Sequence, residues 1–378
     1  MTVPKSPRTP LTVLAGVGAV VALAGCDSTN AAADGPIKVE ASDTSCAVAA
    51  TTAAAGNVTF EIANKGSKVT EFYLYAEGDR IMGEVENIAP GLNRRLIVEV
   101  PEAGKYQTAC KPGMVGNGIR GEFTVTGGAT RQDDADARKA AATKSYATYV
   151  ADNSSALETE TAKFADAVKA GKVDEAKSEY ARTRVFYERI EPVAEKFGDL
   201  DPAIDAREAD LEPGQQFTGF HRLEKDLWST GLQADSPRIA DKLLTDVKDL
   251  VAKSKDLKLS ALDLANGAKS LLDEVATGKI TGEEETFSHT DLWDFQSNLD
   301  GSKNAIQSLR PVLQERDAAL VSTLDTEFAN VQALLDKTRV GDGFMYYDQL
   351  SPVEVKTFAS AVDALSEPLS KVAAVVAK

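Results

Sequence analysis

One of the two histidines in this 378-residue chain lies in the run GFHRLEKDLW, Gly219 to Trp228. His221 stands three positions before Glu224, and on a helix that spacing puts both side chains on one face. Phe220, Leu223 and Leu227 form an apolar stripe in the same run, which His221 and Glu224 flank. A partly buried carboxylate needs a positive partner, so the pair is a candidate metal centre; the competing reading is a surface pair with no chemistry. The run is not an HExxH zincin motif, because Arg222 and Lys225 occupy the positions that motif gives to Glu and the second His. His289 is the only other histidine, so oxygen ligands must dominate any site. That suits iron or manganese better than copper(I) or structural zinc.

Additional ligands are sought among clustered carboxylates. Asp241 is the first choice, because the next helix of an antiparallel hairpin can reach across to the histidine helix. Glu188 and Glu191 in YERIEP come next, then Asp291 in SHTDLWDFQSNLDG, which also holds His289, Asp294 and Asp300. The run DAREAD (205–210) just precedes the histidine helix. Local roles compete: Glu188 can pair with Arg184 one turn earlier, and Ser288 can cap a helix whose first turn holds Asp291.

Two kinds of element must position these groups. From Ile37 to about Gly128 short alternating runs, such as NVTFEIAN with Val58, Phe60 and Ile62 on one side, are punctuated by Gly, Pro and Asn. They predict a β-sandwich. Beyond Gly128 the composition turns to Ala, Leu, Lys, Glu and Asp with helical periodicity. It predicts helices over about 135–170, 173–198, 215–229, 236–277, 289–310, 312–338 and 352–377, packed as an antiparallel bundle. The expected fold is therefore multidomain, β plus all-α: a sandwich over 37–128 followed by a helical bundle over 135–378.

The N-terminus carries an address. Lys5 and Arg8 precede an apolar run from Leu11 to Ala24, about the length of a signal peptide and short for a bilayer span. Leu23-Ala24-Gly25-Cys26 resembles a bacterial lipoprotein signal, in which the cysteine is acylated. The expectation is a signal peptide over 1–25, lipidation at Cys26, a tether over 26–36, and a body held in water on the outer side of the cytoplasmic membrane. The formal charge of −16 removes the electrostatic case for nucleic acid. In an oxidising compartment Cys46 and Cys110, the cysteines left after Cys26, are expected to pair. The alternative is that they join Glu71, Glu84 and Glu86 around a metal.

TGFHRLEK, YERIEPVAE, AIDARE and SHTDLWDFQ are similar to the imelysin-like, peptidase-family helical domain of the EfeO iron-uptake family. In that family HxxE is the hallmark of a metal site and a sandwich precedes the bundle. The first domain resembles a cupredoxin, with Cys110-Lys-Pro-Gly-Met114 in the place of the copper loop. It contains no histidine, so a blue-copper centre, which needs two, is excluded. The resemblance implies a non-enzymatic carrier that captures ferrous or ferric iron at His221 and Glu224, with copper a candidate for the first domain and zinc a candidate in vitro. It also implies a second metal on Cys and Glu ligands in the first domain, and two partners: a membrane iron permease and an exported haem peroxidase. A metallopeptidase using the same pair and an anionic-polymer binder are the rival functions.

Overall fold

The computed structural model describes residues 35–128, 136–211 and 214–378. The expected signal peptide, Cys26 and most of the tether lie outside the described residues. Among those described, no helix is long and apolar enough to cross a membrane.

Among the described residues, nine strands build the expected sandwich. β1 (Ile37–Ala41), β2 (Cys46–Val48), β4 (Gly56–Asn64) and β7 (Asn93–Val100) form one sheet in the order β2-β1-β4-β7. β3 (Thr52–Ala54), β9 (Ile119–Thr126), β8 (Gly104–Cys110), β5 (Thr70–Tyr75) and β6 (Ile81–Ile88) form the other, in that order. The alternation read in NVTFEIAN is real: Val58, Phe60 and Ile62 are all buried. Phe60 meets Phe72 and Phe123 of the facing sheet at centroid distances of 5.0 and 5.4 Å. Cys46 of β2 and Cys110 of β8 are bonded to each other, so a disulfide ties the two sheets together. On the loop-entropy account this link stabilises the domain by about 4 kcal/mol. With both sulfurs so engaged, Cys46 and Cys110 offer no thiolate, and the expectation that they ligate a metal is corrected.

The helical part runs α1 (Ala137–Lys169), α2 (Val173–Glu188), α3 (Leu200–Asp205), α4 (Gly219–Lys225), α5 (Ser236–Ser254), α6 (Ala261–Thr277), α7 (Asp291–Arg316), α8 (Ala318–Leu335), α9 (Pro352–Leu369) and α10 (Val372–Val376). Several boundaries differ from expectation: the predicted helix over 215–229 begins at Gly219, and that over 352–377 divides into α9 and α10. The predicted helix over 173–198 stops at Glu188, and Glu191–Phe197 is a kinked 3-10 segment led by Pro192. The predicted helix over 236–277 is two helices, the second begun by a Ser260–Asp263 capping box. The break expected at Pro311 falls instead at Asp317, whose carboxylate caps α8 by accepting from the Leu320 amide at 2.9 Å.

The sandwich packs onto the bundle. Ile97 of β7 belongs to the buried core of the helices. Asn266 of α6 donates to the Ile97 carbonyl at 2.9 Å, and Lys196 to the Met82 carbonyl at 3.3 Å. A cleft of about 600 Å³ remains where the two parts meet.

Candidate metal centre

α4 is a short helix fixed from both sides. Gly219 opens it at φ 81°, and a Cβ there would lie 2.1 Å from the Ile204 carbonyl oxygen. Only glycine allows that approach, and it sets the end of α3, with Asp205, beside the start of α4, with His221. Thr218 reinforces the junction by donating to the Ala203 carbonyl at 2.9 Å. Phe220 and Leu223 enter the core, and His221 and Glu224 go in with them, 2 % and 1 % exposed. The surface-pair reading therefore falls.

The two imidazole nitrogens face different groups. Nδ1 lies 3.4 Å from Glu224 Oε2. Glu224 Oε1 accepts the backbone amides of Phe287 and Ser288 at 2.8 and 2.7 Å, so this carboxylate clamps the 283–290 turn onto α4 and orients the ring. Nε2 is buried and has no hydrogen-bond partner. It points between Asp205 Oδ1 at 3.6 Å and Glu284 Oε1 at 3.7 Å. Asp205 and Glu284 also line the cleft. Asp205, His221 and Glu284 form one group with metal-ligand spacing, and His221, Glu224 and Glu285 form a second. The first is the better placed for an arriving ion, because Asp205 and Glu284 line the cleft, although Arg184 contacts both; Glu285 of the second is held by Arg184 Nε at 2.5 Å, Tyr180 at 3.3 Å and Ser288 at 2.8 Å. A ring held by a carboxylate at one nitrogen, with the other free, is the usual arrangement of a metal-ligating histidine.

Two fully buried cations hold the surrounding carboxylates together. Arg184 of α2 contacts Glu188 and Asp205 directly, Glu285 as above, and Glu284 and Asp294 at 3.3 and 3.6 Å. Lys279 reaches Glu188 at 3.1 Å, Glu191 at 2.7 Å and Glu284 at 3.4 Å. Burial and the charge of Arg184 push the His221 imidazolium toward neutrality. The facing carboxylates of Glu224, Glu284 and Asp205 outweigh them and raise its pKa to about 9. Burial would raise Glu284, but Lys279 and His221 hold it well below the carboxylate range. Burial wins at Glu285 and Asp294, whose pKa values go well up. Glu285 and Asp294 thus resist ionisation, whereas Glu284, beside His221 and Lys279, favours it.

The predicted ligands divide. His221 and Glu224 are placed together, with Glu224 best placed to orient rather than ligate. Glu188 and Glu191 join the same network through Arg184 and Lys279. Asp291 sits at the start of α7 and accepts from the Glu285 amide at 3.2 Å. Its helix is capped at Thr290, and Ser288, expected to be the cap, instead donates to Glu285. Asp241 is a correction: its side chain is 64 % exposed and pairs with Lys169 at 3.1 Å, because the apolar stripe of α5 (Ile239, Leu243, Val247, Leu250) turns the opposite face inward. Asp205 and Glu284, which the fold brings beside Nε2, are not among the candidates read from the sequence. Asp205 stood in the noted DAREAD run, whereas Glu284 lies in a triple-Glu run that looks like a solvated turn.

On the sandwich side of the cleft, Glu71, Glu84 and Glu86 gather around Tyr73, which donates to Glu71 at 3.0 Å and to Glu86 at 3.2 Å. Burial raises the pKa of all three carboxyls, and Glu195 of the helical part adds to the rise at each. These carboxylates line the same cleft as Asp205 and Glu284.

Residues 142–372 match the imelysin family and residues 16–125 the cupredoxin-like domain family. Fold and centre thus define a two-domain cupredoxin–imelysin protein with a buried histidine–carboxylate cluster. "Iron uptake system component EfeO" from Escherichia coli strain K12, and its counterpart from Escherichia coli O157:H7, are each 40 % identical over 352 residues, covering 91 % of this chain and 92 % of theirs. The chain belongs to the EfeO family. A solved structure, reduced auracyanin from Roseiflexus castenholzii, matches 26 % of this chain and all of its own at 17 % identity with a TM-score of 0.22, too low to carry an argument.

Proposed function

We propose that this protein is the iron-capturing component of an uptake system, exported and lipid-anchored through Cys26, and that it delivers iron to a membrane permease. Iron is cargo here. It is taken from the acidic cleft and held by His221 Nε2, Asp205 and Glu284, with Glu224 fixing the ring and Glu188 and Glu191 close by. The observation that carries this reading is the buried, unpartnered Nε2 aimed between two carboxylates that open on the cleft. The relatives' name as iron-uptake components supports it. Hard oxygen donors with one nitrogen favour iron or manganese, and an exported haem peroxidase is the second partner expected.

Peptidase chemistry is disfavoured. Glu224, the natural general base, has one oxygen bound to two amides and the other facing the ring, so its contacts commit it to holding the ring and the 287–288 turn rather than to proton abstraction.

The imidazolium must lose its proton when iron binds. With its pKa raised to about 9, affinity for Mn²⁺, a redox-stable stand-in for Fe²⁺, should rise about tenfold per pH unit from about pH 6.5 toward 9 and then level off. The apoprotein should respond the opposite way. A raised pKa stabilises the fold fully below the unfolded value near 6.5, and that stability is lost as pH climbs through about 9; the loss is on the order of 3 kcal/mol. Calorimetric titrations across this range check the first trend. An affinity that does not change with pH would contradict His221 as a ligand.

A further inference from the structure

Lys279 is the unusual member of the network. Lysine is rarely buried without a function or a full set of partners, yet this side chain has no exposure at all. Its ammonium donates to Glu188 Oε2 at 3.1 Å and to Glu191 Oε1 and Oε2 at 2.7 and 2.9 Å, and it lies 3.4 Å from Glu284 Oε1. One positive charge ringed by three carboxylates is how a hard cation is bound. Glu284 is shared: the same Oε1 faces Lys279 and the free Nε2 of His221. Glu191 and Glu284 both line the cleft, so an ion arriving there meets carboxylates that Lys279 already holds.

The two buried cations are mounted differently. Arg184 rises from the 16-residue α2, four residues before its end, and its guanidinium lies 5.7 Å from the Phe220 ring. Lys279 begins a three-residue 3-10 turn between Gly278 and Gly282, the latter in the left-handed region at φ 77°. Arg184 is built into the frame; Lys279 is a charge on a flexible stem carried by a short turn at the cleft's edge.

We propose that Lys279 is a tethered surrogate cation, which iron must displace from Glu284, Glu188 and Glu191 to bind fully, and that it thereby determines the affinity and selectivity of the centre. This rests on the iron-binding reading of His221. The ammonium keeps the empty carboxylates together and is pushed aside, still charged, by an ion of higher charge density. A monovalent ion has no advantage over it, whereas Mn²⁺, Fe²⁺ or Fe³⁺ has.

The test is Mn²⁺ titration of the full chain as wild type, Lys279→Met and His221→Ala. Loss of the internal competitor should tighten Mn²⁺ binding at least tenfold, on the order expected for uncompensated buried carboxylates, and should let Na⁺ compete where it does not in the wild type. Unchanged or weaker Mn²⁺ binding by Lys279→Met, with His221→Ala still impaired, overturns the Lys279 role alone. If His221→Ala binds as the wild type does, the iron site itself falls and this inference with it. Should Lys279→Met not fold, the charge-balanced Lys279→Met/Glu191→Gln variant replaces it. Affinity at or above wild type supports displacement, and affinity below wild type overturns it.

Discussion

Replacing His221 with alanine should lower Mn²⁺ and Fe²⁺ affinity by more than about 100-fold, beyond the 10–100-fold that loss of an outer-shell partner typically causes. The imidazole is the one nitrogen donor available to the cluster, and it sits where α3, α4 and the 283–290 turn converge. Glu224→Gln should lose less, about 10–100-fold, because an amide still reaches Nδ1 and the 287–288 amides while its charge is gone. The order of the two effects is the informative part. If Glu224→Gln proved the more damaging, Glu224 would be a direct ligand and the ion would sit on the Nδ1 side. Isothermal titration of both variants decides this, with circular dichroism to show that the fold is kept.

Arg184→Met should produce the largest loss of stability of any single change at this centre. The guanidinium is fully buried and touches Glu188, Asp205, Glu284, Glu285 and Asp294. Removing one partner of a buried ion network costs about 3–5 kcal/mol, so the melting temperature of the apoprotein should fall by roughly 10 °C. The penalty should shrink in acid. The carboxylates left behind take up protons, and the loss is then smaller near pH 5 than near pH 8. Saturating Mn²⁺ should recover part of it, since a ligand that binds only the folded state stabilises that state. A variant that melts with the wild type at every pH would show that Arg184 does not hold the cluster together.

Local pattern carried much of the architecture and little of the centre. The period-2 burial of Val58, Phe60 and Ile62 and the long apolar stripe of α1 are properties of neighbouring residues, so the sandwich and bundle were legible. His221 flanks the stripe of Phe220 and Leu223, which suggested partial burial and left a surface pair open; the fold buries it almost fully. Helix ends were harder, because Pro311 suits a break in isolation but is tolerated inside α7. The candidate metal partners come from tertiary packing: Asp205 is brought in by the Gly219–Ile204 approach, and Glu284 by a turn that Glu224 clamps. Asp241 went wrong for a reason visible in the sequence, since it lies across the helix from Ile239, Leu243 and Val247. The Arg184–Glu188 pair was legible one turn apart and is present, but the burial of Arg184 and of Lys279 had no local signal. A lone basic residue among acids usually marks a solvated face, and only the folded arrangement turns that face inward.

The most direct measurement is anomalous diffraction from crystals of the full chain grown with Mn²⁺. The account predicts a peak in the cleft wall, about 2.0–2.3 Å from His221 Nε2 and from carboxylate oxygens of Asp205 and Glu284, with the Lys279 ammonium moved away from Glu284. A peak on the Nδ1 side between Glu224 and Glu285, or no ordered ion beside the ring, would contradict it.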